Sequence, residues 1–338
     1  MRPSPCPKTL FALLICVPLL AACGAVVTPI AYLKQKDRIT EPVIGQDPFI
    51  QEVAARFGFM AVLSEMVYYR EPAVNDRPCE APATHAGMLK LPAGKQGKWT
   101  RAANIPGVNF CLDDPSGVFY ETFLYTTPDN RVREAVIVFR GTEGPSLRDW
   151  SANLSNVTGI EPVQYRRARQ ELEKVFEAFE KPRYKDAAIH AAGHSLGGGL
   201  AQQAGYRFSR IKTVYAFNSS PVTNWTWLAW NNQITENWPV IYRLFHTGEA
   251  LDPIRNAATA ITTTRFNRYD IGIQLEEKSR IGGHAMDIIA CGLAKILADS
   301  GRKDNAHGYT AHYARRHVYE GPLCAAYRKT EIGTPDRS

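Results

Sequence analysis

The sequence predicts an α/β fold, a mostly parallel central sheet with helices on both faces. Three observations carry that prediction. Extended apolar runs alternate with helix-patterned stretches between about residues 118 and 297. In "IHAAGHSLGGGLAQQ" a buried-looking strand breaks at a serine among glycines and a helix follows at once. Finally, 338 residues of which 45% are apolar can fill the core of one large domain.

The chain opens with Arg2 and Lys8 ahead of the apolar run from Leu10 to Leu20. That run is too short to span a bilayer, which needs roughly 20 apolar residues. A charged start, a short apolar middle and small residues after it describe a secretory signal over residues 1–22. Its end, Leu20-Ala21-Ala22-Cys23, resembles the lipobox of bacterial lipoproteins, in which the cysteine is acylated after cleavage. The resemblance implies lipidation of Cys23. Gly24 next to it, rather than aspartate, implies the outer membrane of the cell envelope, facing the periplasm or the exterior. More than one acyl chain makes such an anchor stable. The formal charge of +7 is spread rather than clustered, so no nucleic-acid partner is expected.

Residues 23–46 read as a lipidated tether and 47–338 as a single domain. Residues 48–69 repeat apolar side chains at helical spacing. Residues 71–115, rich in Pro, Gly, Asn and Lys, read as a loop-rich insertion. Four cysteines remain beyond the anchor in an exported, oxidising setting, and proximity favours Cys79–Cys111 and Cys291–Cys324. No cysteine or histidine spacing points to a metal, and no cofactor is expected. The runs 118–125 and 134–140 flank a Pro128-Asp129-Asn130 turn and predict a hairpin. Residues 164–180 are amphipathic at helical period. Strands are expected at 187–193, 213–219, 240–246 and 267–275, and helices over 198–209 and 285–297.

Gly193-His194-Ser195-Leu196-Gly197 fits the G-x-S-x-G turn between strand and helix. A serine projecting from so sharp a turn needs neighbours without bulk two residues either side. The helix that follows aims its amides at the place where negative charge forms during acyl transfer. Serine needs a base held by an acid, in the order Ser, Asp or Glu, His on this architecture. Downstream, Asp252 follows a strand and His284 stands at a Gly-Gly turn opening a helix. Glu249 and Asp270 compete as the acid, and His246, His307, His312 and His317 as the base; Asp252 and His284 are preferred. His190, inside a strand, reads as a core residue. Upstream, a strand ends in Arg140-Gly141-Thr142, so the amides of Thr142 and Leu196 are candidates for the oxyanion hole.

The motifs "VIVFRGT", "LRDWSANL", "AAGHSLGGGLA", "HTGEALDPI" and "GGHAMDI" together resemble the fungal-type class 3 lipases, an α/β-hydrolase family. The resemblance covers roughly residues 115–300. It implies an α/β-hydrolase fold, a triad of Ser195, Asp252 and His284, an oxyanion donor at Thr142, and a lid opening at Asp149-Trp150. One departure is local: the family usually carries a glycine before the Ser-Pro or Gln-Pro after the next strand, where Asn218 and Ser219 stand here.

Four of the six tryptophans fall within residues 224–238. Trp225, Trp227 and Trp230 lie just beyond a strand's C-terminal end, where substrates bind in such sheets. They read either as an acyl-chain or lipid-facing lip or as packing. The expectation is therefore a lipid-anchored serine carboxylic ester hydrolase, lipase- or phospholipase A-like, with lipid esters as substrates and the membrane as partner. The alternatives are a binding or assembly lipoprotein on a hydrolase scaffold, or a thioesterase or peptidase using the same triad.

Overall fold

The structure is a computed structural model. It describes residues 30–35, 38–39, 43–44, 48–68, 89–141, 161–222, 225–237, 239–251, 268–275, 284–303 and 308–331. The signal segment with Cys23, and Cys79, Thr142, Asp149, Trp150, Asp252 and His307, lie outside these residues.

Five strands form the parallel centre: β8 (Val132–Phe139), β9 (Ala188–His194), β10 (Ile211–Phe217), β11 (Val240–His246) and β12 (Arg268–Gln274). They stand side by side in chain order. Right-handed crossovers, the rule for parallel neighbours, would send the connecting helices to one face. There lie α2 (Val163–Phe179) and α3 (Leu196–Arg207), over Ile137, Phe139, Ile189, Ala191, Val214 and Ile241. The other face must be covered by helices from the chain's ends. These are α1 (Pro48–Met66) and α5 (Met286–Ser300), which pack on each other over Val136, Val138, Ala192, Phe217, Leu244 and Ile271. Successive residues of a strand therefore belong to different cores, which is why these strands read as continuous apolar runs. Helix α4 (Trp225–Trp230) follows β10.

The expected hairpin is β7 (Phe119–Thr126) against β8, with Asn130 in the left-handed region at φ 63° in its turn. Two expectations need correction. The loop-rich insertion supplies strands: β5 (Gly97–Arg101) and β6 (Cys111–Asp113) both pair antiparallel with β7, and β4 (Ala93–Gly94) pairs with β5. The expected tether also contains β1 (Ile30–Gln35), antiparallel to β12, with β2 (Arg38–Ile39) and β3 (Val43–Ile44) beside it. In both places an open sheet edge offers unpaired backbone groups, and that decides the conformation of segments with weak patterns of their own.

Cys291 is disulfide-bonded to Cys324, as expected, and ties the C-terminal segment to α5. Closing a loop of this length stabilises the fold by about 3–4 kcal/mol in the chain-entropy account. Cys111 is also disulfide-bonded, its partner lying outside the described residues. Among the described residues no helix is long and apolar enough to cross a membrane.

Burial, with the Asp287 carboxylate of α5 adding to it, pushes the Glu65 carboxyl of α1 up to about 8. The folded chain thus keeps a proton between pH 4.5 and 8 that the unfolded chain releases, and stability from this group is lost as pH rises through that window. Glu65→Gln is expected to raise the melting temperature at about pH 8–9 by about 2–4 °C. The gain should vanish near pH 4.5, as differential scanning calorimetry across pH would read.

Candidate active site

Ser195 stands between β9 and α3 with φ 55° and ψ −124°, a backbone that non-glycine residues rarely adopt. Such a residue costs on the order of 1–3 kcal/mol and persists only when its surroundings enforce it. Here its N–H donates to the Phe217 carbonyl at 3.0 Å, and its own carbonyl accepts from Gly198 and Ser220 at 3.1 and 3.0 Å. The flanking glycines are steric necessities. A Cβ on Gly193 would lie 2.5 Å from the Gly197 carbonyl carbon, and one on Gly197 2.8 Å from that of Arg140. A Cβ on Gly198 would lie 2.5 Å from that of Ser219. The glycines thus let the helix start against the strand and leave room for the serine's backbone at the corner, where Ser195 is 2% exposed.

His284 immediately precedes α5 and is buried at 3% exposure. Its Nδ1 donates to Glu249 Oε2 at 2.6 Å, and Glu249 is itself only 1% exposed. A carboxylate can only accept, so this bond places the proton on Nδ1 and leaves Nε2 as the acceptor. That Nε2 is buried and has no hydrogen-bond partner among the described residues. Glu249 is presented by the Thr247-Gly248 turn after β11, where Gly248 sits at φ 74°, a conformation that favours glycine. The Leu251 amide donates to the same Oε2 at 2.9 Å and fixes the carboxylate.

The acid on His284 is thus Glu249, one of the two competitors of Asp252, while Asp252 itself lies outside the described residues. The other competitor is engaged elsewhere: Asp270 accepts from Arg243 Nε at 2.6 Å across β11 and β12. His246 accepts from the Leu275 amide at 3.2 Å through Nε2, and the His317 ring lies tilted 5.0 Å from that of Tyr313. His190 is half-buried within β9.

Three residues to which the sequence assigned no role join this site. Tyr68, just beyond α1, takes the Gly141 N–H at 2.8 Å and bonds His194 Nδ1 at 2.8 Å. His194 Nε2 lies 2.7 Å from the His284 carbonyl. A carbonyl only accepts, so His194 carries its proton on Nε2, and the Tyr68 hydroxyl donates to Nδ1. Burial first, and the nearby His284 second, lower the His194 pKa to about 3, so this ring is neutral at working pH. Asn218, fully buried, donates from Nδ2 to the same His284 carbonyl at 3.1 Å. The histidine beside a motif serine and a departure from a family glycine were the available signals; Tyr68 left none.

A Cβ on Gly141 would sit 3.0 Å from that of Ser195, so the backbone leaving β8 runs directly past the serine. The oxyanion candidates divide accordingly. Leu196 opens α3 next to the serine, whereas Thr142 lies outside the described residues. The tryptophans divide too. Trp227 packs half-buried with the Arg169 guanidinium 4.8 Å over its ring, and Trp230 is 75% exposed. The side chain of Trp225 is outside what the structure describes. Among the described residues no three His, Cys, Asp or Glu side chains gather as metal ligands.

The residue pattern of a Tle-like phospholipase domain matches residues 59–264. An extracellular phospholipase A1 of Serratia liquefaciens is 34% identical over 94 residues. That stretch is 28% of this chain and 26% of the relative, so the chain spans about a quarter of the relative's length. Among solved structures, lipase II from Rhizopus niveus overlays with a TM-score of 0.35 at 12% identity, over 68% of this chain and 79% of that one. MDLA from Penicillium cyclopium overlays at 0.33 and 14% identity, over 60% and 75%.

Proposed function

Since the chain belongs to the Tle-like phospholipase domain family, we propose that it is a serine ester hydrolase acting on membrane phospholipids, with Ser195, His284 and Glu249 as its triad. The observation that carries the reading is the buried Glu249–His284 pair, with the bare Nε2 it leaves, beside the strained serine turn. The bond between Ser195 Oγ and His284 Nε2 closes in the substrate complex, as such bonds tighten there in other hydrolases.

In the acylation step Ser195 Oγ attacks the ester carbonyl carbon and its proton passes to His284 Nε2. Glu249 stabilises the imidazolium without taking the proton itself. The carbonyl oxygen becomes an oxyanion held by the Leu196 and Thr142 amides. The intermediate collapses, the ester C–O bond breaks, and His284 returns its proton to the departing lysophospholipid alkoxide. Water then attacks the acyl-enzyme by the same route and releases the fatty acid. Removing one oxyanion donor from such a site costs roughly 3–4 kcal/mol of transition-state stabilisation.

Acylation at Cys23 in the cell envelope would hold the domain at its substrate. Trp230 is the lipid-facing residue of the substrate entrance, a role that its exposure supports, while Trp227 packs behind it. The test sets phosphatidylglycerol and phosphatidylethanolamine vesicles, triglyceride and short p-nitrophenyl esters side by side, with a fluorophosphonate probe on the same protein. Fatty-acid release from the phospholipids and probe on Ser195 are expected. A protein that takes no probe and releases no acid would instead be a binding lipoprotein.

A further inference from the structure

Asn218 is hydrogen-bonded to the backbone of His284. It lies at the end of β10, fully buried, with φ 39° in the left-handed region that glycine enters without strain. Its backbone N–H donates to the Leu244 carbonyl at 2.8 Å. Its side-chain oxygen accepts the His246 N–H at 2.8 Å, and its side-chain NH2 donates to the His284 carbonyl at 3.1 Å. The orientation of the amide is unambiguous, because an N–H only donates and a carbonyl only accepts. One side chain therefore joins the ends of β10 and β11 to the backbone of His284. With His194 on the same carbonyl at 2.7 Å, the His284 peptide is clamped from two sides.

We infer that Asn218 is a positioning residue, which fixes the His284 backbone so that its ring swings only between Ser195 Oγ and the leaving group. This rests on the serine-hydrolase reading above. A glycine would serve the backbone equally well, yet a glycine has nothing to reach His284. The physical need is large because a displacement of about 1 Å in a reacting group can cost on the order of a hundredfold in rate.

Two variants test it in the full chain. Asn218→Gly keeps the backbone conformation and removes both side-chain bonds. Asn218→Ala removes the same two bonds while retaining a Cβ. Each protein is titrated to completion with the fluorophosphonate, and kcat is expressed per titrated serine. A fall of roughly tenfold or more in kcat per site is expected for both variants, with KM within about twofold. A purely structural residue would lower the melting temperature and the number of active sites while leaving kcat per site unchanged. That result, in whichever variant folds, would overturn the inference. Wild-type protein that takes no probe would remove the serine-hydrolase reading itself, and so is told apart from failure of the clamp.

Discussion

Ser195→Ala is expected to lower phospholipid hydrolysis by roughly 10⁴- to 10⁶-fold while the fold stays intact. Only Oγ is lost. The turn's strain comes from the backbone and Cβ at φ 55°, which alanine shares, and the bonds that lock the turn are made by main-chain atoms. Thermal melting should therefore move little, and the fluorophosphonate should find no residue to modify at this position. The residual rate reflects binding and the oxyanion donors alone. Circular dichroism together with a phospholipid assay separates the outcomes: a folded variant retaining wild-type turnover would take the serine out of the reaction.

Glu249→Gln is expected to reduce kcat by about 10⁴-fold, and Asp252→Asn to leave it within about threefold. The carboxylate on Nδ1 does two things an amide cannot. It dictates the tautomer that leaves Nε2 bare, and in the proposed mechanism its charge stabilises the imidazolium formed as Ser195 loses its proton. A glutamine of the same shape can turn its NH2 toward Nδ1, which draws the proton to Nε2 and blocks the base. Burial of both partners makes the effect large, because few waters can replace the lost charge. Steady-state kinetics of the two variants in parallel decides between the acids; the reverse pattern would return the role to Asp252.

The serine turn was legible because its requirements are local. Gly193 and Gly197 face each other's backbone across four residues, and a strand before and helix after follow from hydrophobic period. His284 was singled out by motif order and its Gly-Gly approach, and the structure bonds it to Glu249. Sequence alone did not decide which carboxylate would bond His284, because Glu249 and Asp252 are three residues apart in one short segment. Which carboxylate reaches Nδ1 depends on how Gly248, at φ 74°, swings the chain off β11 toward a histidine 35 residues away in sequence.

Periodicity along the chain was enough to name the five parallel strands and the helices α1, α2, α3 and α5, since each depends on residues near one another in sequence. The strands β1 and β5, the Tyr68–His194 link and the Asn218 clamp came into view only in three dimensions. Their partners are separated by tens to hundreds of residues, and except for the Tyr68–His194 bond each has on at least one side a backbone group that every residue carries. Such atoms leave no mark on the identity of a side chain until folding brings them within hydrogen-bond reach.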